Sequence, residues 1–551
     1  TPGLWALGCS GFVARVVTAP STSWWRSGSL ANFLWKVDSA FPWQKRLPTN
    51  LRVAWLSFTA TAIGLLGISV VQRSLMRLLL NYHGHMFLTR GKVPLHVKLW
   101  SGVLKVLGGT HPSLYNFQGC LPTVPVPPLK QTCDKFLRSV KPLLEDDKYK
   151  EMEEKCKEFI AKDGWKCQLY LKFRAMYKRS WLWDWWETYV YLKGEDPIMI
   201  NSNYYIMDGY QWTPTKHQAA RTASLVLEAD GFKKLIDYEQ LEPVRQGGVI
   251  PWCMKQYERL FDTTRVPGRS GDTIEHYDVD LERYIAVCRK GVWYKVPLLI
   301  KDKKGYRSLT LPELEKQFER IIKDADAKPA PENENAIAAL TGWRRNWWAE
   351  VREREFDRGV NDFSLTMVER AAFHVHLASE NPKDLDEQAR MLMHGDGKSL
   401  WFDKSVTLIT FPNGKAGLMC EHSCADALTN AHMWEWLMSG EAMHGHLTGP
   451  DTHTKGYNEC TVDQIREPQR LKWNLTAELT ESIKAAYKHN LEAIANLDLT
   501  ILQFEDWGKG FVKKARCSPD AFAQLAMQLA YRMDTGRKAL VYEASATCLL
   551  S

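Results

Sequence analysis

Residues 406–426 read VTLITFPNGKAGLMCEHSCAD. The apolar run at 406–411 predicts a buried strand, and the glycine-containing segment after it predicts a turn. A second short apolar strand then leads to His422 and, four residues later, to Asp426. The stretch therefore predicts two neighbouring strands that deliver a histidine and a carboxylate where the second strand ends.

The pairing of His422 with Asp426 is one that general base catalysis can use. A carboxylate that holds one ring nitrogen of an imidazole fixes the tautomer and raises the basicity of the other nitrogen. Most pairs with this spacing are structural contacts and nothing more. From the residues alone, the catalytic and the structural interpretation both stay open.

The cysteines on either side of His422 raise the question of a zinc site. Cys420 and Cys424 each stand two residues from it, but a second pair of ligands is missing, so no metal is predicted. Three His-x-His pairs are interpreted as surface or packed histidines: His83/His85, His374/His376 and His444/His446. The sequence has neither a P-loop nor a dinucleotide-binding glycine fingerprint, and we expect no cofactor.

The composition is that of a globular protein. Of 551 residues, 45% are hydrophobic and 25% charged, which excludes long disorder, a collagen-like chain and a polytopic membrane protein built mainly of spanning helices. A net charge of +8 is too small and too dispersed to predict a nucleic-acid partner. The 12 cysteines form no Cys-x-x-Cys pair, which favours reduced thiols in a reducing compartment.

Residues 53–72 form an uncharged, apolar stretch between two arginines. At 1.5 Å per residue a helix of this length spans about 30 Å, the thickness of a bilayer core, although a buried core helix fits the same pattern. Residues 4–18 form a weaker stretch that could be an earlier span. Two spans and the arginines after the second predict that the rest of the chain faces the cytosol. We therefore assign residues 1–95 to a membrane-anchoring region.

From residue 96 onward, short apolar runs alternate with segments of helical periodicity, a pattern that predicts an α/β fold. The predicted strands are at residues 198–200, 284–288, 292–299, 406–411 and 539–542. The predicted helices are at residues 129–161, 311–326, 365–378, 424–438, 477–496 and 518–532.

Several short blocks, taken in order, resemble one enzyme family. They are residues 121–127, 184–187, 201–205, 264–268, 401–405, 421–427, 509–514, 518–522 and 542–545. Each block is modest by itself, but the series in this order is specific. From about residue 50 to residue 551 the chain resembles the choline/carnitine acyltransferases.

The resemblance implies a fold and a domain order. It implies two CoA-dependent acyltransferase-like α/β domains, each a mixed sheet with flanking helices, after the N-terminal membrane helices. Residues 96–465 would form the first region, with the catalytic histidine, and residues 466–551 the start of a second domain that is truncated here. We expect this fragment alone to be inactive.

The resemblance also assigns roles to residues. His422 would deprotonate the hydroxyl of carnitine, which attacks the acyl-CoA thioester directly, and Asp426 would orient the imidazole. Lys509 and Lys513 would hold the 3′-phosphate of CoA. Acyl-CoA and carnitine are substrates, so neither a cofactor nor a metal is implied. The two remaining implied contacts are Asp520, near the CoA site, and Tyr542, which would donate to the carnitine carboxylate.

An anchor before the catalytic part resembles the long-chain enzymes of this family in the outer mitochondrial membrane. It implies a multi-pass protein that faces the cytosol, malonyl-CoA as a possible inhibitor, and a possible homo-oligomer through the membrane helices. Cys424 and Leu428 depart from the pattern around the histidine. They leave two alternatives open, namely a member with another acyl chain or acceptor, and a catalytically weak membrane-anchored sensor of acyl-CoA or malonyl-CoA.

Overall fold

The computed structural model describes residues 48–82, 93–209, 213–277, 283–302, 305–447, 449–461 and 465–542, with residues 8, 10–15, 32, 36–37 and 39–40. The chain divides into two compact units. The first comprises Thr1–Pro112, Asn116–Pro122 and Val244–Trp252, and the second comprises the remaining residues. The domain limits at residues 95 and 465 stay predictions.

The first unit is built around one long apolar helix, α1 (Thr49–Leu80). An 18-residue window within its segment Asn50–Leu80 has a mean hydropathy of 1.8, and among the described residues this is the one helix long and apolar enough to cross a membrane. Core helices of soluble proteins can be equally long and apolar, but they are mostly buried. In α1, by contrast, Phe58, Leu66 and Ile68 are each more than 60% exposed. The helix continues eight residues beyond the predicted limit at 72.

The last turns of α1 are held by α2 (Leu95–Gly108) and a following turn. Arg77 donates to the carbonyl of Gly119 at 2.8 Å, and the Trp100 indole donates to the carbonyl of Leu79 at 2.8 Å. Of the weaker predicted span, residues 10–15 are helical, and Ser10 Oγ donates to Thr61 Oγ1 at 3.3 Å. The other residues of that stretch lie largely outside the described part of the chain.

The second unit contains a seven-stranded mixed sheet in the order β1-β12-β11-β10-β6-β7-β13. The central strand β10 runs parallel to both of its neighbours, and the other pairs are antiparallel. Three two-stranded pairs complete the count: β4–β5 and β8–β9 in the second unit, and β2–β3 in the first. The strands are β1 (Tyr204–Met207), β2 (Arg245–Gln246), β3 (Ile250–Pro251), β4 (Thr263–Val266), β5 (Thr273–His276), β6 (Tyr284–Arg289), β7 (Val292–Pro297), β8 (Leu299–Asp302), β9 (Gly305–Ser308), β10 (His374–Leu377), β11 (Val406–Thr410), β12 (Ala416–Cys420) and β13 (Gln469–Arg470).

Helices alternate with the strands of this sheet along the chain. The predicted α/β class, with a mixed sheet and flanking helices, is therefore confirmed. The second domain and its truncation stay predictions. The helices are α3 (Leu129–Val140), α4 (Asp146–Phe159), α5 (Trp165–Tyr177), α6 (Trp183–Trp186), α7 (Ile198–Asn201), α8 (Gln218–Asp237), α9 (Leu311–Ala327), α10 (Arg345–Glu355), α11 (Gly359–Glu369), α12 (Leu385–Met393), α13 (Ala427–His444), α14 (Ala477–Ala495), α15 (Lys509–Lys514) and α16 (Pro519–Thr535).

The strands at the centre of the sheet are buried along their whole length. Every residue of β6, β11 and β12 is buried, which explains why these strands read as nearly continuous apolar runs. Three tryptophans pack edge to face beside them: Trp401 lies 5.8 Å from Trp293 and 6.1 Å from Trp348, ring centre to ring centre. The core thus accounts for part of the high tryptophan content.

Three predicted elements are wrong. Residues 198–200 form the short helix α7, not a strand, because so short an apolar run carries no periodicity. The helix predicted at 365–378 ends at residue 369, and 374–377 form strand β10, since buried apolar residues continue through both elements. Residues 539–542 form neither helix nor strand, and Leu540 is 85% exposed.

The turn between β6 and β7 fixes the register of the sheet centre. Lys290 and Gly291 form a two-residue turn with φ values of 50° and 77°. Turns with two positive φ values match the twist of a hairpin and favour glycine. A Cβ atom on Gly291 would lie 2.1 Å from the carbonyl oxygen of Asn335, so this position has no room for a side chain.

We expect Gly291→Ala to lower the free energy of unfolding by about 2 kcal/mol or more, because it combines backbone strain with a clash against main chain. Urea denaturation followed by circular dichroism measures the loss. Gly231→Ala on α8 is the matched control, since nothing lies within 4 Å of its Cβ position. Equal stability of the two variants would contradict the expectation.

Candidate active site

His422 stands just beyond the end of β12, and the sheet determines which way it points. Glu421 before it is fully buried, whereas the His422 side chain is 35% exposed. Successive side chains of an extended segment point to opposite sides. The carboxylate therefore enters the core, and the imidazole reaches the surface of the second unit.

The His422 ring is positioned by residues around β1. Its Nδ1 lies 3.1 Å from the carbonyl oxygen of Ser202. A carbonyl only accepts, so in the neutral ring Nδ1 carries the proton and Nε2 keeps a free lone pair. The rings of Tyr204 and Tyr191 lie 5.0 Å and 5.2 Å from the imidazole. The ring is thus fixed in the tautomer that a base acting through Nε2 requires.

Asp426 lies on the other side of the imidazole, at the N-cap of α13. Its Oδ1 is 3.8 Å from His422 Nε2, which is ion-pair range but too long for a hydrogen bond. Gln256 holds Asp426 at both ends: Gln256 Nε2 donates to Asp426 Oδ2 at 2.7 Å, and the Asp426 backbone N–H donates to Gln256 Oε1 at 3.0 Å. The structure brings the predicted pair together, but the ring donates its hydrogen bond to the Ser202 carbonyl rather than to Asp426.

A buried ion network lies beneath the histidine. Arg265 donates through Nη1 to Glu421 Oε1 at 2.9 Å and through Nε to Asp272 Oδ2 at 2.7 Å. Asp272 Oδ2 also accepts from Arg345 Nε at 2.7 Å, and Arg345 Nη1 donates to Asp403 Oδ1 at 2.6 Å. All five side chains are at most 2% exposed. Their charges are therefore stabilised by one another and not by water.

The network shifts the pKa values of its carboxyl groups. Burial alone would raise the pKa of Glu421, but Arg265 and a hydrogen bond from Ser423 outweigh it, and the pKa of Glu421 is lowered. Burial raises the pKa of Asp403 to about 6, because Arg345 and the Trp348 indole offset it only in part. Glu421 is therefore a stable anion under His422.

Three of the blocks that suggested the family, at residues 264–268, 401–405 and 421–427, meet at this point in space. The Arg265 backbone N–H donates to the carbonyl of Asp403 at 2.9 Å, and the Glu421 N–H donates to that of Ser405 at 3.1 Å. In these blocks the sequence predicted roles for His422 and Asp426 alone. Ser202, Arg265 and Asp403 belong to the blocks that carry the resemblance, but the sequence predicted no role for them. Two further neighbours of the pair, Tyr191 and Gln256, had no sequence signal that we could use.

The predicted CoA residues lie on the last two helices. Lys509 is the first residue of α15 and Lys513 lies one turn later, both exposed, and Asp520 is in the first turn of α16. The structure therefore places these three residues on two consecutive helices, and their role in binding CoA stays a prediction.

Tyr542, the predicted carnitine contact, is 74% exposed. Burial raises the pKa of Tyr191, whose ring flanks His422, and the charges of Asp426, Tyr542 and Glu421 add to the shift. The role of Tyr542 toward carnitine stays a prediction.

Comparison with known proteins decides the family. The model described as Choline/Carnitine o-acyltransferase matches residues 124–549. The chain belongs to this family. It is 38% identical over 91% of its length to "Carnitine O-palmitoyltransferase 1, muscle isoform" of Sus scrofa and 40% identical over 87% to the "liver isoform" of Homo sapiens. Identity to "Carnitine O-acetyltransferase" of Homo sapiens is 28% over 78%.

These matches cover only part of the relatives. The chain spans 64% of the length of the Sus scrofa protein and 62% of the Homo sapiens liver protein, against 68% of the acetyltransferase. This family member resembles the two palmitoyltransferases over more of its own length, and at higher identity, than it resembles the acetyltransferase. The chain therefore spans less than two thirds of the length of either palmitoyltransferase.

We expect Arg265→Ala to lower the free energy of unfolding by about 3–5 kcal/mol, because it leaves buried Glu421 without its cation and buried Asp272 with only one of its two arginines. The midpoint of urea denaturation measures the loss. Arg269→Ala is the matched control, since its 2.7 Å pair with Glu353 is more than half exposed, and we expect a change of about 0.5 kcal/mol or less. A loss at Arg265 as small as that of the control would show that the network does not support the site.

Proposed function

We propose that this family member transfers a long-chain acyl group between CoA and the hydroxyl of carnitine, with His422 as the general base. One observation carries the proposal. The proton of His422 is fixed on Nδ1 by the Ser202 carbonyl, so Nε2 of a part-exposed imidazole is left as the base. The printed names of the relatives supply the long acyl chain and the acceptor.

The reaction needs one proton acceptor that can return its proton. Nε2 of His422 takes the hydroxyl proton as the carnitine oxygen attacks the thioester carbonyl carbon. The carbon–oxygen bond forms, the carbon–sulfur bond breaks, and the CoA thiolate takes the proton back from Nε2. The ring returns to its starting tautomer, so the same residue serves in both directions.

Asp426 would act on the charged intermediate form of the ring. When Nε2 is protonated, the imidazolium lies 3.8 Å from a carboxylate that Gln256 keeps in place. Asp426 would therefore pair with the ring when it carries the transferred proton, while Ser202 sets the orientation.

The substrate ends are assigned by charge. Lys509 and Lys513, one turn apart on α15, would bind the 3′-phosphate of CoA, with Asp520 nearby. Tyr542 would donate to the carboxylate of carnitine. Each ammonium on a phosphate forms a charge-assisted hydrogen bond, stronger than a neutral one.

The membrane position is part of the proposal. α1 would span the outer mitochondrial membrane together with an earlier helix, with the second unit facing the cytosol. Arg73 and Arg77 extend past the apolar stretch, as expected at a cytosolic surface. There the protein would admit long-chain acyl groups to mitochondrial fatty-acid oxidation. Malonyl-CoA would be an inhibitor, and the membrane helices could join copies into a homo-oligomer.

We expect His422→Ala to lower carnitine-dependent CoA release from palmitoyl-CoA by about 10²–10⁴-fold, the usual value of a general base. The assay uses the intact protein in membranes, with and without carnitine. His432→Ala, on α13 and bonded through Nδ1 to the Tyr257 hydroxyl, is the matched control and should keep most of the activity.

Other outcomes of this assay would favour one of the alternative functions or contradict the role of His422. Carnitine-dependent release that survives in His422→Ala would contradict the base assignment. Faster release with octanoyl-CoA or acetyl-CoA would favour a family member with a shorter acyl chain. Tight palmitoyl-CoA binding without turnover in the unmodified protein would favour the sensor instead. Cys424, buried, and Leu428, 49% exposed, would then be the residues to change.

We expect Lys509→Ala and Lys513→Ala each to raise the KM for palmitoyl-CoA about ten-fold or more, because each removes a charge-assisted contact worth about 1.5–3 kcal/mol. With palmitoyl-3′-dephospho-CoA the same variants should match the unmodified protein. Lys514→Ala, exposed on the same helix, is the control. Equal losses with both substrates would refute the phosphate assignment without touching that of His422.

A further inference from the structure

Three side chains converge at the end of α13 that is opposite to Asp426. His444 is the last residue of α13, His446 follows across Gly445, and Glu228 comes from the middle of α8. His444 Nδ1 lies 2.6 Å from Glu228 Oε1, and His446 Nε2 lies 2.5 Å from the same oxygen. Two ring nitrogens therefore meet at one carboxylate oxygen.

The backbone of α13 is shaped to admit the carboxylate. A Cβ atom on Gly440 would lie 2.1 Å from Glu228 Oε2, so the acidic side chain occupies space that only glycine leaves open. The Glu228 side chain is 6% exposed, that of His446 13%, and that of His444 57%. The cluster is thus closed on the carboxylate side and open to solvent beside His444.

We propose that Glu228, His444 and His446 form a binding site for a divalent zinc ion. Two imidazole nitrogens and one carboxylate oxygen are a donor set that Zn²⁺ takes as three protein ligands, with a fourth position for water. The three ligand atoms all lie within 4.8 Å of one another. An ion about 2 Å from each atom needs oxygen–nitrogen separations somewhat longer than those observed, which small side-chain rotations provide.

The protons balance on binding. Without an ion, each ring N–H donates to Glu228 Oε1. An ion needs the lone pairs on those nitrogens, so the proton of each neutral ring moves to its other nitrogen, Nε2 in His444 and Nδ1 in His446. A ring that begins protonated releases one proton to solvent. Affinity should therefore fall in acid, as for any histidine site.

The ion would act as a clip rather than in catalysis. α13 has 18 residues and is about 27 Å long, with Asp426 at its start and His444 at its end. The ion would join the far end of α13 to α8, on which Glu228 lies. The inference therefore does not depend on the proposed reaction.

A second cluster in the described chain provides a contrast. Glu315, Glu319 and His453 also offer ligand atoms within 4.8 Å, but only one of them is an imidazole. Glu315 Oε2 already accepts from the backbone N–H of Thr454 at 2.9 Å and from its hydroxyl. His453 Nδ1 lies 2.5 Å from Glu315 Oε1. This second cluster therefore has a histidine–glutamate contact like those of Glu228, but it contains one imidazole instead of two.

The experiment is zinc titration of the full chain in detergent, after treatment with EDTA, followed by calorimetry and by the melting temperature. Co²⁺ is the spectroscopic probe, because its visible absorption reports coordination by nitrogen and oxygen. The variants are Glu228→Gln, His446→Gln and His444→Gln. The last alters a side chain that is mostly exposed and should leave the fold unchanged. His453→Gln is the matched control.

We expect one zinc equivalent in the unmodified protein, with a rise in melting temperature. Each of the three site variants should weaken it at least ten-fold, and His453→Gln should retain it. The absence of zinc binding in the unmodified protein would overturn the proposal. Equal binding in His444→Gln and the unmodified protein would do so too, since the ion would then lie elsewhere, for example on cysteine thiols.

Discussion

The buried guanidinium of Arg265 is the interaction on which the candidate site depends. It joins Glu421, directly before the histidine, to Asp272 and to the carbonyl of Tyr191, whose ring flanks the imidazole. These buried groups have lost their hydration and are stabilised by their partners instead. Removal of one partner would leave a buried charge uncompensated, so the arrangement is favourable only when it is complete. A single cation thereby fixes the strand end below His422 and one of the rings beside it.

The site separates rigid support from solvent access. Glu421 and the two arginines beneath it are out of water, while His422 and Asp426 are 35% and 52% exposed at their side chains. Dry, paired charges hold positions well, and a half-exposed imidazole can meet a substrate from solution. This combination matches what a base needs when it must be oriented yet accessible.

The sequence was informative where the signal is local. The apolar runs of β11 and β12 and the short His422–Asp426 spacing lie within 21 residues, so pattern alone places them. The partner of His422 Nδ1 is a backbone carbonyl 220 positions away, and Glu228 is 216 positions from His444. Contacts of that span leave no spacing to read. Helix α7 was missed for a different reason, since an apolar run of three residues, 198–200, fits either a helix or a strand.

The hydrogen bond from Nδ1 of His422 ends on a main-chain oxygen, which every amino acid at position 202 would supply. Side-chain replacement of Ser202 therefore leaves the tautomer intact, and the vulnerable positions are those that fix the path of the backbone. Asn203, whose amide donates to the carbonyl of Phe402 at 2.8 Å, is one of them. In the interpretation of inherited variants, a benign change at 202 beside a harmful one at 203 would be the expected pattern.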